Sequence, residues 1–282
     1  MFILDVIPLT NIPIGQPQVF SYFSKENLER GCLVEVFLNR RKIMAVVLKS
    51  ESITSRKAII KKSGFALKPI SKVISSRPSV PPLFFVLADF IARYYFSPIS
   101  LSLKSILPPK IKSLSKYIQN LSAGEFPEYF QITKPLESKE MVKKHKSYNF
   151  SNDFSLLIKE IKKCLVKKQQ VLILVPTILY QKYYLGKLKT FLNEKIYIAS
   201  PDLKIKELDS LWSKINNQEA LLVIGRRSSV FLPWQDLGLI IAVDANNSSY
   251  KSWDQKPYYN AITLARYLSL YYYAKNAAYQ NY

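Results

Sequence analysis

Two hydrophobic patterns, each confined to one part of the chain, predict two kinds of structure. In residues 1–110, short strand-like runs, at 33–37 and 43–48, are interleaved with ten of the 16 prolines. This pattern is typical of a small β-rich domain. The segment between the two runs predicts a positively charged hairpin tip, which we interpret as a phosphate contact. It contains Asn39, Arg40, Arg41 and Lys42. A helix-spaced apolar run at 83–95 predicts one helix that ends near Pro98.

From residue 151 onwards the pattern changes to helices that alternate with short, fully apolar strands. The predicted helices span 154–165, 178–192 and 207–215, and the predicted strands span 171–175, 196–199, 220–224 and 239–243. Such strands, separated by helices, predict a parallel sheet covered on both faces and an α/β fold class. The segment between the two patterns has seven Lys, four Glu and few apolar clusters, so it is interpreted as a basic linker. The predicted domains are therefore 1–110, 111–150 and 151–282.

The charge and composition of the chain narrow the class of partner. With 41 Lys and Arg against 20 Asp and Glu, the net charge is +21, and 48% of the residues are hydrophobic. A folded, strongly basic protein of this kind favours a polyanionic partner, either nucleic acid or an anionic membrane surface. No run approaches the ~18 apolar residues of a membrane span, and no basic segment precedes an apolar one at the N-terminus. We therefore expect a cytoplasmic protein that does not span a membrane.

Residue types that carry metal or nucleotide chemistry are scarce. Two cysteines and a single histidine, His145, do not make a four-ligand zinc site, and His145 is interpreted as an exposed loop residue. The single Gly-Lys pair, Gly186-Lys187, lies in a predicted helix and is followed by Leu188, so it does not match a phosphate-binding loop. Asp244 follows a predicted strand, where open α/β sheets place ligand contacts. A turn or helix N-cap is the alternative interpretation of Asp244.

Several segments resemble one known family, the PriA replication restart helicases (primosomal protein N′). The segments that are similar to its first helicase lobe are 171–176, 225–233, 237–241, 243–244, 249–251 and 257–259. Those that are similar to its 3′ DNA-binding domain are 19–22, 31–36, 67–70, 94–98 and 107–108. The resemblance implies an OB-like, β-rich N-terminal domain followed by an incomplete RecA-like lobe. It also implies DNA as the partner, as forked or single-stranded DNA with a 3′ end, in replication restart or repair.

The resemblance assigns a terminal-nucleotide pocket to the N-terminal domain. Phe20 and Tyr22 would stack on or frame a base, and Lys68 matches a family lysine suited to a phosphate. Ser21 stands where the family often has Asp, and Asn39 stands where it has Gly, so 3′-end selectivity stays open. Strand alternation is expected to direct one of the two aromatic side chains into the core.

The lobe departs from the family at the residues that serve ATP hydrolysis. Where the family reads T-G-S-G-K-T, residues 148–153 read Tyr-Asn-Phe-Ser-Asn-Asp, and where it reads D-E-E-H, residues 244–247 read Asp-Ala-Asn-Asn. The chain ends before the family's second lobe and zinc insertion. What remains of the helicase motifs is Arg226, Arg227, Ser228, Asp244, Tyr250 and Lys251. We therefore expect no ATP, magnesium or zinc to be used and no catalytic residue to be present.

These features predict a DNA-binding protein in which ATPase and helicase activities are lost. The alternative is a non-catalytic interaction subunit that docks a separate helicase or primosome component. An ATPase completed by a partner chain ranks last, because a partner does not easily replace a phosphate cradle formed by backbone. A decaying copy without a selected role also stays open.

Overall fold

A computed structural model describes residues 1–55, 67–108, 111, 147–149, 154–272 and 275–279. The chain divides into two units, Met1–Phe126 and Pro127–Tyr282, and each is considered by itself. The first is β-rich and the second contains a parallel sheet with helices. This arrangement confirms the predicted α/β class. The predicted linker lies largely outside the described residues, as does His145.

The first unit is built on a six-stranded mixed sheet. Its strands are β1 (Phe2–Pro8), β2 (Phe20–Ser24), β3 (Leu33–Leu38), β4 (Arg41–Ser52), β5 (Lys68–Pro69) and β6 (Lys72–Ser75). The order across the sheet is β5-β2-β1-β4-β3-β6. All neighbours are antiparallel except β2 and β5, which are parallel. Consecutive residues are buried along parts of β1, β3 and β4, so both faces of these strands are covered there, because successive side chains of a strand point to opposite faces.

The core of this sheet is formed by small and branched apolar side chains. Its buried members include Leu4, Val6, Tyr22, Leu28, Cys32, Val34, Val36, Ala45 and Val47.

Two helices follow the sheet and pack against each other, α1 (Pro82–Tyr94) and α2 (Ile99–Ile106). The first matches the predicted helix at 83–95. The second was not predicted, because its eight residues include three serines that weaken the apolar pattern.

The second unit contains a six-stranded parallel sheet. Its strands are β7 (Ser147–Asn149), β8 (Gln170–Leu174), β9 (Ile196–Ala199), β10 (Leu222–Gly225), β11 (Leu237–Val243) and β12 (Lys275–Tyr279). Their order is β7-β12-β11-β8-β10-β9. The helices are α3 (Phe154–Val166), α4 (Ile178–Lys189), α5 (Ile205–Asn216) and α6 (Ala261–Tyr271). Strands β8, β10 and β11 are buried at every position, as expected for a sheet covered on both faces.

The observed elements of the second unit agree with the sequence patterns to within a few residues. All four predicted strands and all three predicted helices are present, and Gly186-Lys187 lies inside α4 as predicted. Strand β7 is a correction, since it falls inside the segment that was predicted to be linker. Three residues carry too little periodicity to identify a strand, and only its pairing with β12 defines it.

Other features of the described residues concern the membrane, metals and thiols. None of the helices in the described ranges is long and apolar enough to cross a bilayer. Within the same ranges, no three His, Cys, Asp or Glu side chains converge as a metal site would require. Cys32 and Cys164 are both buried free thiols.

Candidate nucleic-acid interface

Tyr22, predicted to stack on a base, is a core residue of the first unit. Its side chain is only 4% exposed, and burial raises the pKa of its hydroxyl. That hydroxyl donates a 2.8 Å hydrogen bond to the carbonyl of Phe37 on β3. Phe20 lies two residues away on the same face and packs, half-buried, against the same core. Both rings therefore face the core, which corrects the expectation that only one would.

The Tyr22 hydrogen bond links two strands that are not neighbours in the sheet. Strands β1 and β4 lie between β2 and β3, so a contact of 2.8 Å requires the sheet to curve strongly. Strand β6 pairs with β3 only as far as Glu35, and the Phe37 carbonyl lies beyond that pairing. The Tyr22 hydroxyl thus supplies a donor at this position. This hydrogen bond holds the β3–β4 hairpin close to β2.

Lys68 lies beside β2 through a short strand pairing. Strand β5 runs parallel to β2, with Lys68 in register with Tyr22 and Pro69 in register with Phe23. The Lys68 side chain is exposed, whereas the Tyr22 ring is buried. The structure therefore places the predicted phosphate lysine next to the predicted base pocket. An exposed ammonium at this position is free to approach an anionic ligand.

The β3–β4 hairpin is closed by a two-residue turn. Asn39 and Arg40 have φ of 47° and 65°, and Leu38 pairs with Arg41. Positive φ at both central residues is the type I′ geometry that matches the twist of a hairpin, and Asn adopts it at low cost. Asn39 therefore fills a position where the family has Gly without breaking the turn. The basic residues Arg40, Arg41 and Lys42 are all exposed, and the last two belong to β4.

A carboxylate lies directly opposite Ser21. Asp5 on β1 is the register partner of Ser21 on β2, and the Ser21 hydroxyl donates a 2.7 Å hydrogen bond to Asp5 Oδ1. Both residues are half-buried rather than enclosed. Sequence reasoning missed Asp5, because the pairing register of β1 and β2 has no signal in either strand alone. The pair presents a carboxylate next to a position where the family often carries one.

In the second unit, the residual helicase motifs serve mostly structural contacts. Arg227 donates to the carbonyl of Lys251 and forms a 2.7 Å ion pair with Asp254. The buried Tyr250 hydroxyl lies within hydrogen-bond distance of the carbonyls of Leu174 and Val243, at the ends of β8 and β11, and shares its single hydrogen between them. Arg226, half-buried, follows β10, and Ser228 is exposed on the next turn. Arg227 therefore links the 226–228 segment to the segment that contains Lys251 and Asp254.

Asp244 adopts the turn geometry that was its alternative interpretation. Its φ is 49°, its carboxylate accepts from the Asn247 amide at 2.8 Å, and its carbonyl accepts from the Asn247 backbone at 2.9 Å. A carboxylate engaged by its own turn is partly satisfied without a metal. Lys187 on α4 lies with Nζ 4.1 Å from the ring centroid of Phe154. Strand β7 covers Ser147–Asn149, at the start of the segment where the family has a glycine-rich loop, and residues 150–153 lie outside the described residues.

An exposed tryptophan near Lys251 was also missed by sequence reasoning. Trp253 is 62% exposed, and Lys251 Nζ lies 4.0 Å from its ring centroid. The Trp253 indole donates to the carbonyl of Ser248 at 3.1 Å, which orients the ring. Aromatic side chains held at a surface beside a cation are suited to stacking on unpaired bases. The signal in the sequence was a tryptophan two residues after Lys251.

Comparison with known proteins identifies the family of the first unit. Residues 9–108 match the model of the PriA 3′DNA-binding domain (3′BD). Replication restart protein PriA from two strains of Helicobacter pylori is 31% and 30% identical to this chain over 95% of its length. The chain is PriA-like. This confirms the resemblance found in the sequence, including its N-terminal 3′ DNA-binding domain.

The similarity of this PriA-like chain extends to other bacteria over shorter stretches. PriA of Borreliella burgdorferi is 29% identical over 67% of this chain, and that of Bacillus subtilis is 30% identical over 41%. The chain spans about two fifths of the length of the Helicobacter pylori relatives, since it covers 41% of each. The match therefore relates the chain to one part of those proteins.

Proposed function

We propose that this PriA-like chain is a DNA-binding protein of replication restart that recognises a 3′ end in forked or single-stranded DNA. The observation that carries the proposal is the arrangement at one side of the first unit. There Lys68 lies beside β2, and the Tyr22–Phe37 hydrogen bond brings the basic hairpin to the same strand. These residues fall inside the segment that is similar to a 3′ DNA-binding domain.

The charge of this region supports DNA as the partner. Residues 1–110 contain 16 basic and 6 acidic residues, a balance of +10. If the protein neutralises about five phosphates of single-stranded DNA, its affinity should fall roughly a hundredfold between ~50 and ~200 mM salt. A binding isotherm that does not change with salt would contradict the proposal.

The Asp5–Ser21 pair supports selection of a free 3′ end. A terminal nucleotide differs from an internal one in its free 3′ hydroxyl, which donates a hydrogen bond. A carboxylate accepts such a bond and repels a 3′ phosphate. Asp5 is half-buried and accepts from the Ser21 hydroxyl through Oδ1, so the pair places an anionic carboxylate beside Ser21 on β2.

The test is fluorescence anisotropy with forked DNAs that differ only in a free or phosphate-blocked 3′ end. We expect the wild-type chain to prefer the free end, and Asp5→Asn to lose that preference while still binding DNA. Lys68→Gln should weaken binding to both DNAs, whereas Lys104→Gln, an exposed lysine on α2, is the matched charge control. Equal binding of both DNAs by the wild-type protein would refute 3′-end recognition.

We further propose that this chain does not hydrolyse ATP. The groups described around Asp244 and Lys187 are engaged in a turn and in cation–π contact, and residues 148–153 contain neither glycine nor lysine. Hydrolysis needs a phosphate cradle and a charge that neutralises the transferred phosphoryl group. Phosphate release should therefore stay at the level of a protein-free blank with forked DNA present. Release that is stimulated by DNA and lost in Asp244→Asn would overturn this part of the proposal.

A second candidate function is that of an interaction subunit for a helicase or primosome component. The observation that favours it is the apolar outer side of α4, where Leu179 is 73%, Tyr183 55% and Ile178 48% exposed. Exposed apolar clusters of this kind are typical of protein interfaces. Binding of a purified primosome protein in a sedimentation assay, abolished by Leu179→Ser and kept by Val166→Ser, would support it. Val166 is an exposed apolar residue at the end of α3, 84% exposed.

A further inference from the structure

The outer face of the β3–β4 hairpin carries an exposed phenylalanine that the core does not use. Along β3, Val34 and Val36 point into the sheet core, so Phe37, which follows Val36, points to the opposite face. Its side chain is 41% exposed. Its backbone is fixed, because the Phe37 carbonyl accepts from the buried Tyr22 hydroxyl. The ring is therefore presented to solvent from a rigid strand.

We infer that Phe37 and Lys42 form a stacking site for an unpaired base of single-stranded DNA, next to the proposed 3′-end site. This inference rests on the proposed function and names the residues that would hold the base. Lys42 is the register partner of Phe37 across the hairpin, and its Nζ lies 5.6 Å from the ring centroid. A cation beside an aromatic ring is the combination that binds a base and its phosphate together.

The surroundings of Lys42 leave its charge available to DNA. Its ammonium lies 3.7 Å from Glu35 Oε1, and its side chain is 59% exposed. Exposed ion pairs contribute little stability, so exchange of Glu35 for a phosphate costs little. Glu35 also accepts from the Ser71 hydroxyl, which gives its carboxylate a second partner. The long Lys42 side chain can thus move to a phosphate while the ring accepts a base.

Charge distinguishes Phe37 from Phe96, the other strongly exposed phenylalanine among the described residues of this unit. Phe96 follows α1 and is 85% exposed, but the nearby Arg93 is paired with Asp89. Phe37 instead belongs to a hairpin that carries three exposed cations, Arg40, Arg41 and Lys42. This basic setting favours nucleic acid over a protein partner. The exposed Phe37 ring also offers the base-stacking surface that Tyr22 does not offer, because the Tyr22 ring is buried.

The experiment measures binding of a single-stranded oligothymidylate with a free 3′ end across a salt series. Phe37→Ala and Phe37→Leu should each weaken binding about tenfold, while Phe37→Tyr retains it and Phe96→Ala has no effect. The dependence on salt should not change in Phe37→Leu, because no phosphate contact is lost. Lys42→Met should reduce the slope of log K against log salt by about 0.7. Circular dichroism checks that each variant is folded.

An abasic oligonucleotide of equal length separates stacking from other effects. With it, wild type and Phe37→Leu should bind equally, because no base is available to stack. If Phe37→Leu binds oligothymidylate as tightly as wild type, or loses the same affinity for the abasic strand, the inference is wrong and the proposed function stands. If the wild-type protein binds neither strand, the proposed function fails, and the inference fails with it.

Discussion

The hydroxyl of Tyr250 provides a direct test of how the second unit is held together. The side chain is fully buried, and its hydroxyl shares one hydrogen between the Leu174 carbonyl at 2.9 Å and the Val243 carbonyl at 2.5 Å. Burial, followed by the nearby Asp244, raises the pKa of this hydroxyl, so it stays protonated and a donor. Tyr250→Phe removes the donor that the two carbonyls share and leaves the ring in place.

The expected cost follows from the hydrogen-bond energies. A buried hydrogen bond contributes about 1 kcal/mol net, and an acceptor left without its donor costs about 1–3 kcal/mol. With two carbonyls affected and the cavity small, we expect Tyr250→Phe to lower the free energy of unfolding by about 2 kcal/mol. For a unit of this size, that corresponds to a fall in Tm of about 4–8 °C.

Tryptophan fluorescence during urea denaturation measures this effect selectively. All three tryptophans, Trp212, Trp234 and Trp253, lie in the second unit, so the signal does not report the first. Tyr258→Phe is the matched control, since Tyr258 is 46% exposed and its loss should change stability by less than about 0.5 kcal/mol. If Tyr250→Phe lies within about 0.5 kcal/mol of wild type, the two carbonyls do not depend on the hydroxyl and the reasoning is refuted.

Three further predictions concern other sites. Gly31→Ala should destabilise the first unit by about 2–3 kcal/mol in thermal unfolding, because the φ of Gly31 is +90° and a Cβ would lie 2.7 Å from the Val80 carbonyl oxygen. Gly15→Ala is the control: Gly15 has a φ of +94° but lies in open space, so the substitution should cost about 1 kcal/mol. Cys32, whose pKa is raised by burial to about 12, should resist iodoacetamide at pH 8 until the first unit unfolds; peptide mass spectrometry that finds rapid native labelling would contradict this. Burial raises the pKa of Tyr259 to about 12, so its contribution to stability is complete below about pH 10 and is lost as pH rises towards 12. Chemical denaturation should therefore give a lower free energy of unfolding at pH 11 than at pH 9 in the wild type, and a smaller difference in Tyr259→Phe.

Local sequence pattern was sufficient to locate most elements of the fold. The hairpin between β3 and β4 was predicted from alternation on each side of Asn39, and the structure has a two-residue turn there. Helix α4 was predicted from its periodicity, and its location ruled out Gly186-Lys187 as a phosphate loop. Both are decided by neighbours in sequence, because periods of 2 and 3.6 residues record which side chains share a face.

The candidate site depended on contacts between distant strands. That Tyr22 is buried, and that its hydroxyl bonds Phe37 rather than a ligand, follows from curvature across four strands. The pairing of Asp5 with Ser21 depends on a register that neither strand encodes alone. Trp253 is exposed because the turn that carries it lies outside the packed sheet.

The sequence by itself determined the α/β class, the excess of positive charge and the resemblance to a PriA-type 3′ DNA-binding domain. These depend on composition, on short-range periodicity and on motif spacing, all of which are properties of the chain in one dimension. Only the tertiary structure decided which aromatic side chains face solvent and which carboxylate stands beside Ser21. The physical reason is that period-2 alternation gives a strand two faces, whereas strand pairing and sheet curvature decide what each face meets.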